Sequence, residues 1–230
     1  ESIVCYDLIE PVSTLENKDF FDLGKSLYSF HKSLNKYPRK NIVKRNTFAR
    51  IKMLKDTLTK FISKSHRKSN QLNKIKKILI KEKNIFDQIN KKDLNFLTHG
   101  DLVPSNIIKS KKKIFFIDFE DSSYSYFFKE LDISIIIERL ILFQKKLSNN
   151  KKKKLISLFI SGYKNENYNK LVFNKSLYFA LIFNNIKSML TLLNSYDVKK
   201  KFISYELNKF IYLYKLANQN KKLIKSFEKN

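Results

Sequence analysis

His99-Gly100-Asp101-Leu102-Val103-Pro104-Ser105-Asn106, followed by Ile117-Asp118-Phe119-Glu120 with Asp118 twelve residues after Asn106, is the stretch on which the reading of this chain turns. Asp101, Asn106 and Asp118 stand at fixed offsets on two short loops. Ile107-Ile108 and Ile114-Phe115-Phe116-Ile117 read as two strands around a lysine turn at 109–113. Outward from this hairpin the periodicity is helical. Before it, the pattern predicts helices over 18–35, 47–64 and 69–90, with a loop at 93–106. After it, helices are expected near 130–147, 150–165, 174–195 and 197–226. At the front, Ile3 to Ile9 is short and β-prone, and Pro11 stops it.

The composition suits a globular chain: 230 residues, 43% hydrophobic and 14% aromatic. The formal charge of +26 raises nucleic-acid binding as a possibility. Yet five of the 47 basic residues are Arg, and Lys, Asn, Ile and Phe are in excess while Gly is scarce and Trp absent. That is the bias of AT-rich codons, whereas readers of nucleic acid lean on Arg for bidentate contacts. Charge is also uneven. Residues 1–30 hold six acids against Lys18 and Lys25, a local −4, so the other 200 carry +30. Within that basic remainder, Asp101, Asp118, Glu120, Asp121, Glu130 and Asp132 fall between 98 and 132, which suggests a site that needs negative charge. The Lys151–Lys154 run reads as the solvated first turn of a helix. Cys5 alone allows no internal disulfide and fits a reducing compartment. No signal peptide opens the chain, and no apolar run reaches the roughly eighteen residues of a membrane span. The expectation is a soluble, cytoplasmic protein with no membrane partner.

His99-x-Asp101-x-x-x-x-Asn106 resembles the catalytic loop of a protein kinase, and Asp118-Phe119-Glu120 stands where such a kinase has Asp-Phe-Gly. Together they resemble the aminoglycoside phosphotransferase/choline kinase group of small-molecule kinases. Leu23-Gly24-Lys25-Ser26-Leu27-Tyr28-Ser29-Phe30-His31 looks like that group's L-G-x-x-L-x-x-L-H helix. Glu130-Leu131-Asp132-Ile133-Ser134 looks like its segment after the metal loop, and Phe159-Ile160-Ser161-Gly162-Tyr163 like its F-x-x-G-Y element. The three glycines, Gly24, Gly100 and Gly162, all fall in these elements, as backbone constraints would require in a chain that discards Gly elsewhere.

The resemblance implies an α+β fold, the mostly helical C-terminal lobe of a kinase-like protein. Residues 1–13 are then hinge strand and linker. Residues 14–230 are the lobe, with a catalytic loop at 99–106, a metal loop at 117–120 and a helical substrate region at 130–226. It further implies ATP and Mg²⁺ as cofactors. Asp101 is the catalytic carboxylate that receives the acceptor's proton. Asn106, Asp118 and Glu120 are candidate metal ligands. Asp7, Leu8 and Ile9 offer hinge backbone to adenine. His99 braces the catalytic loop, and Asp132 fixes it through backbone N–H groups, as a buried carboxylate must find donors. His31 is expected to pack in the core. The acceptor is a small molecule with a hydroxyl: an amino alcohol such as choline or ethanolamine, a sugar or amino sugar, or homoserine.

Two departures stand out. Eleven residues separate Glu120 from Asp132, and they include Tyr124, Tyr126, Phe127 and Phe128. These aromatics are either a cage for a quaternary ammonium or, with more weight, ordinary packing. There is also no Gly-rich phosphate loop, no strand lysine and no helix glutamate to hold one. The chain opens on Glu1 about where a hinge strand begins. The expectation is a lobe whose partner lobe is encoded upstream, inactive by itself; the alternative is a catalytically silent relative that binds a nucleotide or a partner.

If the +26 reflects codon bias, DNA and RNA bind weakly, without sequence preference, with dissociation constants of roughly 10⁻⁴ to 10⁻⁶ M at physiological salt. Fluorescence anisotropy over random and defined oligonucleotides measures this. A tight, sequence-selective complex at that salt contradicts it.

Overall fold

The computed structural model describes residues 15–36, 47–64, 69–90, 93–94, 96–110, 113–119, 126–164, 173–195 and 200–228. The hinge-strand residues Asp7, Leu8 and Ile9, and the metal-ligand candidate Glu120, lie outside this set.

The fold is α+β and mostly helical. Its helices are α1 (Asp19–Lys36), α2 (Thr47–Ser63), α3 (Asn70–Lys81), α4 (Glu130–Ile136), α5 (Asn149–Lys164), α6 (Leu177–Asn194), α7 (Lys200–Gln219) and α8 (Lys221–Lys225). Two antiparallel ribbons accompany them. β2 (Ile107–Ser110) and β3 (Lys113–Phe116) form the expected hairpin, with Ile107 opposite Phe116. β1 (Phe96–Leu97) pairs with β4 (Tyr126–Phe127), where the sequence reading had only loop. Two-residue strands carry too little pattern to be recognised by alternation.

Other boundaries also moved. The predicted helix over 69–90 ends at Lys81 and is followed by a 3₁₀ turn at Ile85–Gln88. The last helix is two helices meeting at Asn220, whose side-chain amide donates to the Leu216 carbonyl. α4 runs into a π-helical stretch, Ile137–Leu142, in which the Phe143 N–H reaches back to the Glu138 carbonyl at 2.9 Å. Within the lysine run, Lys153 and Lys154 are exposed, but Lys152 is buried, so that turn is not fully solvated.

One core joins these elements. α6 is its axis: Leu177, Leu181, Phe183, Ile186, Met189 and Leu190 are all buried, on more than one face. Asn184, Asn185 and Lys187 are buried on the same helix, and no helix among the described residues is long and apolar enough to cross a membrane. Phe127 and Phe128 are core residues too, against Phe183 at ring separations of 5.6 Å. For these two rings packing, not a cage, is the outcome; Tyr124 lies outside the described residues.

α1 crosses α5 unusually closely, and glycine permits it. A Cβ on Gly24 would overlap the Phe159 carbonyl oxygen and sit 2.7 Å from the Tyr163 nitrogen. A Cβ on Gly162 would overlap the Phe21 carbonyl. Each helix therefore puts its glycine against the other's backbone, which cannot yield as a side-chain tip can. The third glycine, Gly100, has a φ of 88°, a conformation that L side chains rarely adopt.

Gly24→Ala and Gly162→Ala should each destabilise the protein by about 3 kcal/mol or more, because separating two packed helices is the only relief from overpacking against backbone. Exposed Lys25→Ala should change stability by no more than about 0.5 kcal/mol. Urea denaturation followed by circular dichroism checks both. A near-neutral Gly162→Ala would contradict the close crossing.

Candidate active site

Asp132 sits at the start of α4, fully buried. Its carboxylate accepts the backbone N–H of His99 at 2.7 Å and of Gly100 at 2.9 Å. His31 of α1 brings Nε2 to the same carboxylate, 2.9 Å from Oδ2. Burial by itself pushes the Asp132 carboxyl up. The hydrogen bond and charge of His31, with the two backbone donors, outweigh it and hold the group below the usual carboxylate range. On its other side His31 places Nδ1 2.7 Å from the Tyr163 hydroxyl. Burial raises the Tyr163 phenol far above its ordinary value, so the hydroxyl stays neutral, and which partner donates depends on the His31 tautomer. Tyr163 adjoins Gly162 on α5, and His31 lies on the helix of Gly24. The close crossing of α1 and α5 thus sets the position of the His31–Tyr163 pair.

From Asp132 the order passes into the two loops. The His99 ring faces the Ile117 carbonyl, Nε2 to O 2.9 Å, and its Nδ1 lies 3.4 Å from the Asp101 N–H. A carbonyl can only accept, so Nε2 carries the proton and Nδ1 is the acceptor. Pro104–Asn106 is a 3₁₀ turn, with the Asn106 N–H on the Val103 carbonyl at 2.9 Å. That turn brings the Asn106 amide back over Asp101: Nδ2 donates to the Asp101 carbonyl at 2.9 Å and to its carboxylate at 3.3 Å. The Ile117 N–H donates to the Asn106 carbonyl at 3.1 Å. Ile117, the residue before Asp118, is therefore held by both of its backbone polar groups to the 99–106 loop.

Asp118 follows at a φ of 66°, the one positive value at a non-glycine among the described residues. Asp tolerates the left-handed region better than most residues, at a cost of about 1–2 kcal/mol. Phe119 helps to hold the turn: although half exposed, its ring lies 5.1 Å from His99 and 5.6 Å from Phe30. The Asp118 side chain is exposed.

The structure therefore gathers Asp101, Asn106 and Asp118, with His99 and Asp132 beneath them, and leaves Glu120 undescribed. His31 does more than pack. It is a polar bridge between α5 and the 99–106 loop, and Tyr163 completes it. Their signal in the sequence was the His that closes the α1 motif and the Tyr after Gly162.

The donor set fits a hard cation. With its nitrogen committed to Asp101, the Asn106 oxygen keeps one long contact among the described residues, 3.3 Å from the Ser105 hydroxyl. The exposed Asp118 carboxylate makes no hydrogen bond or ion pair among the described residues. No group of three or more His, Cys, Asp or Glu placed to hold a metal occurs among the described residues. A cation here would need further oxygens from water or ligand, as Mg²⁺ commonly does. No protein-family model, curated protein or solved structure matches the chain.

Asp132→Asn should cost about 1–3 kcal/mol at neutral pH, because an amide cannot accept from both backbone donors and His31 at once. The folded-state pKa of Asp132 is lowered, so its contribution is present above the unfolded value of about 3.9 and is lost as pH falls through the folded value. The stability gap between wild type and variant should therefore be flat from pH 7 to about 4 and close at lower pH. Denaturation at a series of pH values measures it, and a gap that widens in acid contradicts the linkage.

Proposed function

We propose that this chain carries the base-and-metal half of an ATP-dependent phosphotransferase site acting on a hydroxyl of a small molecule. The observation that supports it best is the junction of the two loops. His99 and Asn106 hold Ile117 from both sides, so that a left-handed Asp118 stands beside the Asp101–Asn106 pair. Turn-forming residues have no need of such cross-linking, whereas phosphoryl transfer depends on positioned oxygens and little else.

In this reading Asp101 accepts a hydrogen bond from the acceptor hydroxyl and receives its proton late in transfer. Asn106 orients that carboxylate through Nδ2 and turns its own oxygen toward the metal. Asp118 supplies an anionic oxygen to the same ion. Mg²⁺–ATP, when bound, brings the phosphoryl group and neutralises the charge that develops on it. His99 keeps the two loops in register, and Asp132 keeps His99 and Gly100 in place. The buried partners fix the backbone from which the exposed Asp118 side chain projects.

Asp118→Asn retains the tolerance for positive φ and removes the charge, so it tests the metal role without a folding penalty. Calorimetric titration of ATP should show Mg²⁺-dependent binding to the wild type and at least tenfold weaker Mg²⁺-dependent binding to the variant, with the urea midpoint unchanged. Equal Mg²⁺ dependence in the two proteins would sink the assignment.

A further inference from the structure

Glu138 and Asn185 meet where the π-helical stretch packs on α6, and both are fully buried. Asn185 Nδ2 donates to Glu138 Oε1 at 2.7 Å and to the Leu181 carbonyl at 3.0 Å. A carbonyl can only accept, so the amide nitrogen lies on that side and both of its hydrogens are engaged. One oxygen is left on each side chain, Glu138 Oε2 and Asn185 Oδ1. Each is buried, and neither has a hydrogen-bond partner among the described residues. Two buried acceptors that lack a donor are costly, since each loses water and gains nothing.

Arg139 is the obvious donor, and it does not fill the gap. Its Nε lies 3.3 Å from Glu138 Oε2, yet that nitrogen too is without a hydrogen-bond partner among the described residues. The two atoms are close without being aligned. The guanidinium lies instead over the Phe210 ring, 5.4 Å from its centroid. Burial pushes the Glu138 carboxyl up and outweighs the Arg139 charge and the Asn185 amide, which act the other way. Other charges are buried on the surrounding helices: Glu130 and Asp132 of α4, Lys152 of α5 and Lys187 of α6. None of them is among the groups that act on Glu138, and α7 buries no charged side chain among the described residues. The backbone of the same residue carries the helical distortion, its carbonyl accepting the Phe143 N–H, and such distortions are common at functional sites.

We propose that Glu138 is held as an uncharged acid, with its proton on Oε2 and Asn185 Oδ1 accepting it, and that this acid–amide pair is a pH-sensitive latch between the π-helical stretch and α6. One proton supplies the missing donor: Oε2 turns from acceptor to donor while Oε1 goes on accepting from Nδ2. The latch joins two walls of one cavity. Arg139 on the stretch, and Asn184 and Ser188 on α6, line about 200 Å³ of space that Asp101 also lines. Raising the pH passes the Oε2 proton to solvent, which leaves two acceptors without a donor and adds a buried negative charge. The carboxylate then draws on Arg139, and the two walls lose the bond that the proton made. The space beside Asp101 is thereby coupled to pH through a residue that does not line it, whether or not a phosphoryl group is transferred there.

Triple-resonance carbon-13 spectroscopy of the 230-residue chain reads the Glu138 carboxyl directly, without any substitution. At pH 7 its carbon should resonate where protonated acids do and move to the carboxylate position at higher pH. The amide signals of Arg139, Asn184 and Ser188 should move over the same range. Glu138→Gln provides a second reading, because its amide can donate where the acid did and cannot ionise. The folded pKa of Glu138 is raised, so its contribution to stability is complete below the unfolded value of about 4.3 and is lost as pH rises toward the folded value. In urea denaturation, the unfolding constant of the wild type relative to Glu138→Gln should rise about tenfold per pH unit between about pH 5 and 7. A Glu138 carbon at the carboxylate position at pH 7, as a bridging water would leave it, overturns the proposal. So do cavity amides that stay still while Glu138 titrates, or a ratio of unfolding constants that does not change with pH.

Discussion

Four polar groups converge on the carboxylate of Asp132 or on the histidine beside it, and the order of the site descends from that convergence. The backbone N–H groups of His99 and Gly100 and the ring of His31 meet the carboxylate directly, and Tyr163 meets the far side of His31. A fully buried carboxylate without donors would be prohibitively costly, so the surroundings are obliged to deliver them. Once delivered, the donors fix the first two residues of the 99–106 loop. Gly100 takes the left-handed conformation that lets two successive N–H groups point at one carboxylate. Asp101 follows, its carboxylate accepting from the Asn106 amide at 3.3 Å.

The second constraint is the crossing of α1 and α5, which sets where His31 and Tyr163 stand. Gly24 and Gly162 bring two backbones together at a distance no other residue allows. The benefit extends beyond packing. His31 lies about two turns along α1 from Gly24, so a shift of either helix is a shift of the His31 ring against Asp132 and, through it, of the 99–106 loop. Structure that lies far from Asp101 in the chain therefore governs its position. The exposed end of the site is the reverse case. Among the described residues Asp118 has no such anchor for its side chain; its backbone is held by Ile117, and Phe119 rests on His99 and Phe30.

Much of this was legible in the chain before the fold. Apolar spacing marks α1, α2, α5 and α6 because each buries one or more faces, and the Ile-rich segments mark the hairpin around 109–113. The offsets of Asp101, Asn106 and Asp118 marked the site. What was not legible is pairing at long range. His31 and Asp132 are 101 residues apart, and His31 and Tyr163 are 132 apart. Periodicity places a histidine on an apolar face but does not say which polar group comes to meet it. The π-helical stretch was hidden for another reason: a single i→i+5 register change has no residue signature.

Anomalous diffraction from crystals grown with Mn²⁺ and ADP tests the central claim most directly, because it locates the metal without relying on turnover. The account predicts an anomalous peak about 2.1–2.2 Å, a typical oxygen-ligand distance for a small hard divalent cation, from both the Asn106 side-chain oxygen and an Asp118 carboxylate oxygen, with the Asn106 nitrogen still on Asp101. Manganese bound elsewhere, or an Asn106 oxygen turned toward Asp101 with no metal beside Asp118, would contradict it.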